Sequence, residues 1–513
     1  MRLGIDVGGT HTDAVVMTGN EILGRHKALT TPDILGGIVE ALTEVLQQSN
    51  CKTTAIESVM IGTTQFTNSV VARRGLHRTL AARISLPGGS AVPPLSGWPP
   101  ELAEAVDGGS QFLHGGLEYN GREFCAMDDQ EIAALVAQLQ NDETKQVAIT
   151  SPFSPLTPDH ELRLAEAIRK AIPDAGITCS YEIGGLGLLD RENAAILNAS
   201  LAPLASHVVT ALDNAVRKTG IESPVFISQN DGTLMNAETA RHYPVMTFSS
   251  GPTNSMRGAL ALSGVKDAIV VDVGGTTADI GMLSDGFPRP SGAEVKVGGV
   301  RTNFRMPDVL PIGLGGGSLV RDGGARVGPD SVGHNLVTQG LAFGGDVMTA
   351  SDIGIAAGLA EFGDPSLVSI EESVVKTTLS TIRTMLAEAI DQVKTSADPL
   401  PLIAVGGGAF LVPDDIPGIT EVIKPPNSAV ANAVGAALAQ VGGEAEIIYS
   451  KTGEDRREAH DRVRQQAREK AISMGAVEGT VQIISIEEVT LAYMADDSVR
   501  LKARAVGDLR ISQ

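Results

Sequence analysis

Four aspartates mark where this sequence can do chemistry. Asp6 precedes Val-Gly-Gly-Thr and is followed seven residues later by Asp13; Asp272 precedes the same Val-Gly-Gly-Thr and is followed seven residues later by Asp279. The paired glycines, Gly8-Gly9 and Gly274-Gly275, permit positive φ and let bare backbone approach a ligand. Successive N–H groups in such a turn form an anion-binding nest, and Thr10, Thr12, Thr276 and Thr277 add hydroxyl donors. A carboxylate in the same place does not bind phosphate directly. It can instead hold the water shell of a Mg²⁺ ion that bridges to phosphates, which is the role read here for Asp6 and Asp272. Asp13 and Asp279 fit either a proton-accepting base or an outer support of that metal, and the sequence does not separate the two.

The elements that must position these groups are strand pairs. β-branched runs (Ile5 and Val7; Val270, Val271 and Val273) read as buried strands, and Ala14 to Met17 and Ile280 to Leu283 read as the returning strands of two hairpins. A tight turn capped by aspartates would explain either copy alone, but not two copies matching at both aspartates, both glycines and the threonine. The copies also lie too far apart for a solenoid repeat. They predict two similar domains, each offering one phosphate-sized loop to a shared cleft.

Composition bounds the rest. At 513 residues the chain exceeds a single core, so two or three domains are expected. A net charge of −21 argues against nucleic acid or an anionic membrane as the main partner. A polyphosphate would therefore have to be held by backbone amides and metal. Cys51, Cys125 and Cys179 are scattered and odd in number, indicating neither a disulfide framework nor a zinc site. No charged and apolar leader opens the sequence, and no uninterrupted apolar run is long enough to span a bilayer. The expectation is a cytoplasmic protein that assembles with itself.

Strand and helix signals alternate, predicting an α/β fold. Helices are expected over Ile34 to Gln48, Gln130 to Gln140, Pro158 to Ala171, Arg191 to Lys218, Ser366 to Lys394, Ser428 to Gln440 and Glu454 to Ser473. Strands are expected at Val59 to Ile61, Gln146 to Thr150 and Leu402 to Val405, whereas 85–125 is too rich in Gly and Pro to assign. A boundary near Gly184-Gly185-Leu186-Gly187 divides the chain into 1–185 and 186–445, with 446–513 as a small α+β appendage.

The chain resembles the hydantoinase A/5-oxoprolinase family, within the actin and sugar-kinase (ribonuclease H-like) superfamily. The resemblance is carried by an ordered set of motifs across roughly residues 1–440. These are Asp6 to Asp13, Gly62-Thr-Thr-Gln-Phe-Thr-Asn68 with Arg74-Gly75, Arg191 to Ala199, Ser228-Gln-Asn-Asp-Gly232, Ser249-Ser-Gly-Pro252, Asp272 to Asp279, Ile312-Gly-Leu-Gly-Gly-Gly-Ser318, Val327 to Gly333 and Thr349-Ala-Ser-Asp352. It implies two actin-like ATPase domains facing a nucleotide cleft. The implied activity is ATP- and Mg²⁺-dependent cleavage of a cyclic amide such as a hydantoin or 5-oxoproline. The hairpins would clamp the β- and γ-phosphates, and Gly406, Gly407 and Gly408 would admit the adenosine. Thr63, Thr64, Asn68, Asp231, Asp308, Gly315 and Gly316 are the candidates on the substrate side; Thr63-Thr64 can equally cap a helix.

Two departures stand out. The family commonly carries a histidine two residues after the position of Asp308, where this chain has Leu310. The Pro-Gly-Pro-Ala-Cys-Tyr stretch expected after Val-Gly-Pro is replaced by His334 to Gly340. Hydrolysis completed by a separate partner chain, a small-molecule kinase releasing a stable phospho-product, and a non-catalytic nucleotide switch therefore stay open beside the hydrolase.

Overall fold

Both hairpins form, in the same register. In the computed structural model, Arg2–Val7 pairs antiparallel with His11–Thr18, placing Asp6 opposite Asp13, and Ala268–Val273 pairs with Ala278–Ser284, placing Asp272 opposite Asp279. Each turn closes with the same bond: Gly8 N–H to the His11 carbonyl at 3.0 Å, and Gly274 N–H to the Thr277 carbonyl at 2.9 Å. The structure describes residues 1–9, 11–29, 34–291, 295–304, 306–453, 455–491 and 497–510, so Thr10 and the expected helix start at Glu454 lie outside the described residues.

The duplication extends to whole sheets. Next to the first hairpin lie its third strand Glu21–Leu29 on one side, and the parallel strands Ser58–Thr63 and Val225–Ser228 on the other. The second hairpin has Phe287–Pro288 on one side, and the parallel strands Leu400–Val405 and Ile419–Ile423 on the other. The strand order is identical, so the architecture is the two-lobed α/β arrangement of actin and the sugar kinases. The first strands are nearly all aliphatic and fully buried (Leu3, Ile5, Ile269 and Val271 are all 0% exposed). They are the buried central strands that a parallel neighbour requires.

Sheet membership cuts across the 1–185, 186–445 and 446–513 division. The first sheet continues through Thr233–Asn236, Gln440–Ser450, Ser498–Gly507 and Gln482–Thr490, making nine strands. The tail strands and the helix Arg456–Ser473 are therefore built onto the first lobe, because Gly442 and Gly443 carry the chain into an inner strand of that sheet where a helix to Gln440 is expected. That expected helix is a 3₁₀ turn, Ser428–Val430, followed by Ala431–Ala437.

A separate four-stranded parallel sheet (Asp107–His114, Thr79–Leu86, Gln146–Thr150, Gly176–Cys179) is inserted in the first lobe, and takes its Asp107–His114 strand from the unassigned 85–125 region. Helix Leu188–Lys218 ties this insert down. By length and composition this helix could cross a membrane, but more than half of its apolar window is buried in the protein. Its Glu192 receives a two-pronged bond from buried Arg83, and its Arg191 reaches Ser180 and the carbonyl of Ser151.

The lobes meet across helix Ser250–Ser263, against which Ala431–Ala437 packs almost backbone to backbone. A Cβ on Gly258 would stand 1.8 Å from the Ala431 carbonyl oxygen, and one on Gly435 would stand 1.8 Å from that of Asn254, so only glycine allows the crossing.

Candidate active site

Successive residues of the central helix serve the two lobes. Ser255 donates to Asp272 Oδ2, while the wholly buried amide of Asn254 lies beside Asp6. Asn432, at the start of the partner helix, donates to Asp6 Oδ2 at 2.9 Å. Asp13, 2% exposed, is gripped by Lys27 through both oxygens at 2.6 and 2.8 Å, and the same ammonium donates to the Ala429 carbonyl at 3.2 Å. Asp6 and Asp272 are close enough to perturb each other, so the two matched aspartates share one electrostatic site.

Negative charge is concentrated there. Burial, with the fields of Asp13 and Asp272, pushes the Asp6 carboxyl up to about 7, against the opposing pull of the Asn254 amide and Lys27. Asp279 is likewise raised to about 7 by burial and by Asp272. Asp272 is raised by burial, tempered by Ser255 and Lys27. Asp6 Oδ1 is buried without a hydrogen-bond partner. Crowded carboxylates with an orphaned oxygen are a donor set that a hydrated dication satisfies. Among the described residues no three His, Cys, Asp or Glu side chains cluster as direct ligands, so the fit is to an ion held through water.

The turns differ in their support. Gly9 is exposed with open space around it, whereas the second turn rests on the glycine-rich loop 313–317. Gly316 N–H donates to the Gly274 carbonyl at 2.9 Å, and Gly317 N–H to that of Gly275 at 2.8 Å. Gly315 and Gly316, read as substrate-side, thus lie in a brace beneath the second glycine turn, and the Gly316 amide is already used. Thr276 and Thr277 are exposed at the turn, while Thr12 is buried in its strand. Gly406 N–H donates to Ser428 and Gly408 N–H to Val273, which packs the 406–408 loop against the second hairpin.

Of the substrate-side candidates, Thr63, Thr64 and Asn68 come to the site. Thr63 pairs in register with Val7, Thr64 donates to the Val7 carbonyl, and Asn68 donates to Thr64. The Thr64 side chain makes no cap bond to its helix, Gln65–Ala72, although Thr63 accepts from Gln65 N–H. Asp231 and Asp308 do not join the cluster. Asp231 is held by Arg504 at 2.8 Å and by Thr233, next to Thr253. Thr253 lies two helical residues, or about 200° of turn, from Ser255. Asp308 pairs with Arg289 and precedes a strand, Val309–Ile312, that runs along Ala278–Gly281 toward the turn, so Asp308 stands at the end far from it. On that strand Leu310 faces Ile280 in register.

Lys27, Asn254, Ser255 and Asn432 were missed from sequence. Lys27 had a signal: it is the cross-strand neighbour of Asp13 once Glu21–Leu29 is recognised as the third strand. The other three lie on helices whose packing partners are remote in the chain.

Residues 2–172 match the family model of the hydantoinase/oxoprolinase N-terminal region, and residues 191–364 match that of hydantoinase/oxoprolinase. The chain belongs to the hydantoinase/oxoprolinase family. This family member is 26% identical over 492 residues to the caprolactamase subunit alpha of Pseudomonas jessenii, an alignment covering 88% of this chain and 67% of that relative. The crystal structure of an ATP-dependent caprolactamase from the same organism superimposes with a TM-score of 0.78 at 20% identity, over 99% of this chain and 88% of that one. A nucleotide-free acetone carboxylase structure gives a TM-score of 0.68 at 16% identity, over 100% of this chain and 88% of that one. At these identities the structural likenesses establish the shared fold.

Proposed function

We propose that this protein is an ATP- and Mg²⁺-dependent hydrolase of a cyclic amide, or the phosphorylating subunit of one. The observation that carries the reading is the convergence of Asp6 and Asp272, one from each repeated hairpin, on a single buried acidic site beneath two glycine turns. An unactivated lactam carbonyl resists water. Attack of the amide oxygen on the γ-phosphorus expels ADP and leaves an imidate-like phosphate ester; water then adds at carbon, the ring C–N bond breaks as the nitrogen takes a proton, and a second water releases phosphate from the acyl phosphate so formed. The first step needs positioning and charge neutralisation more than covalent help from the protein.

In this reading, Gly8, Gly9, Gly274 and Gly275 present backbone to the phosphates. Asp6 and Asp272 hold Mg²⁺ through water, and its positive charge offsets that of the phosphate oxygens. Thr63, Thr64 and Asn68 lie beside the first turn, where they can orient the amide. Asp13 and Asp279 keep the hairpins' inner faces acidic, and Asp279 can hold a proton at its carboxylate. The relative named a caprolactamase subunit supports a cyclic amide as substrate and a partner chain that completes ring opening. ATP as co-substrate agrees with a cytoplasmic location.

The test is phosphate release from ATP and Mg²⁺ across hydantoins, 5-oxoproline, other lactams and small polyols, with mass spectrometry of products. Lactam-stimulated release with ring opening, lost in Asp6→Ala and Asp272→Ala, is the expected outcome. A stable phosphate ester would make the protein a kinase instead. Binding of ATP without stimulation by any compound would direct the search to the partner chain.

A further inference from the structure

One ammonium stands among the four carboxylates of the site. Lys27 is the cation whose field reaches both Asp6 and Asp272, and it grips Asp13 directly. Its side chain is 31% exposed, so it is not sealed in the core. It also touches the far side of the cleft: its Nζ donates to the Ala429 carbonyl, and its Cε is 3.8 Å from where a Cβ on Gly407 would stand.

Arg25, two residues earlier on the same strand face, donates to Asn427 Oδ1. The loop 427–429 thus receives two basic side chains from the first lobe. The same loop accepts Gly406 N–H through Ser428, and leads into the helix whose Asn432 holds Asp6. A lysine paired with one aspartate on a strand is ordinarily a structural ion pair. This one instead reaches from the first lobe to the 406–408 and 427–429 loops and into the field of Asp272, in a chain of net charge −21 whose turn amides supply only partial charges to a polyphosphate.

We propose that Lys27 binds the phosphates of the nucleotide, with Asp13 as the carboxylate that aims its ammonium and the Ala429 carbonyl as its link to the 406–408 loop. The assignment rests on the nucleotide reading above. Lys27 contacts a phosphate oxygen with one of the two N–H groups it now gives to Asp13, which keeps the other and is a positioning residue that acts through it.

Calorimetric titration of the full chain tests this, using a non-hydrolysable Mg–ATP analogue and adenosine as probes. Lys27→Met should weaken the triphosphate by about tenfold or more while leaving adenosine affinity unchanged, and Lys27→Arg should recover part of the loss. Unchanged triphosphate affinity in Lys27→Met overturns the assignment. A second readout uses the wild-type protein. Labelling of Lys27 by an amine-reactive reagent, followed by peptide mass spectrometry, should fall with the triphosphate analogue and not with adenosine. Equal labelling in the two overturns the assignment even if the variant fails to fold. A wild-type chain that binds neither probe overturns the nucleotide reading and this assignment together; one that binds the triphosphate without involving Lys27 overturns this assignment alone.

Discussion

Gly62 stands beside Asp6 as Gly406 stands beside Asp272. Gly62 pairs in register with Asp6, and a Cβ on it would lie 2.3 Å from Asp6 Oδ1 and 2.5 Å from Asn254 Nδ2. Gly406 follows Val405, the register partner of Asp272, and its Cβ would lie 2.2 Å from Asp272 Oδ1. Each parallel strand therefore has, at or just beyond its last residues, a glycine where its neighbour presents the matched aspartate.

Replacing either glycine should displace the aspartate it faces. Gly62→Ala is expected to cost about 1–3 kcal/mol by overpacking. Gly406→Ala adds the strain of a left-handed residue, since Gly406 has φ +88°. Urea unfolding measures the first effect, and titration with a nucleotide analogue measures the loss of binding that should accompany both. Full affinity in Gly62→Ala would mean that Asp6 can move without consequence.

Asp279 sets a pH dependence of stability. Its folded pKa, about 7, lies above the ordinary 3.8, so the folded chain holds this proton where the unfolded chain has released it. Stability from this group therefore falls as pH rises from about 4 to about 7, and stays lower above that. With chelator present, Asp279→Asn should raise the melting midpoint by roughly 2–4 °C or more near pH 8, and leave it unchanged near pH 4. Scanning calorimetry of both proteins at the two pH values decides the point.

Glu192 tests the anchoring of the inserted sheet. Its carboxylate is 3% exposed and the Arg83 guanidinium 1% exposed, and Arg83 also donates to the Gly89 and Val92 carbonyls at 2.7 Å. Glu192→Gln leaves a buried guanidinium without its counter-charge, at a cost of about 3–5 kcal/mol. Hydrogen exchange should rise across 79–114 and 146–179 ahead of the hairpin strands. Exchange that rises equally in all strands would show that the insert and the first lobe open as one unit.

What the sequence made legible was local. The two hairpins, their aspartates and the helices at Asp129–Asn141 and Asp159–Ala171 follow from period and turn chemistry acting within a few residues. Thr63, Thr64 and Asn68 reach the site because a parallel strand carries them there, and the short apolar run Val59 to Ile61 was visible. Asp231 and Asp308 were misplaced for the opposite reason. Their roles depend on Arg504 and Arg289, the first of them far along the chain. Nothing in the local pattern distinguishes a carboxylate facing a cleft from one satisfied by a distant arginine. The helix assigned to Ser428 through Gln440 erred at its end, where small residues suit a helix and a close-packed strand equally well.

The weaving of residues 440–507 into the first sheet has a consequence for how the chain is made. Every strand of the second sheet lies between Ala268 and Ile423, so that lobe can close on itself while later residues are still being synthesised. The first lobe cannot. Its opening strand, Arg2–Val7, belongs to a sheet whose outer strands are made only after the second lobe's strands, so the sheet's apolar surface must wait uncovered until then. The half of the protein that begins first is the half that finishes last, and truncation or stalling after about residue 430 should leave a folded second lobe tethered to an incomplete, aggregation-prone first one.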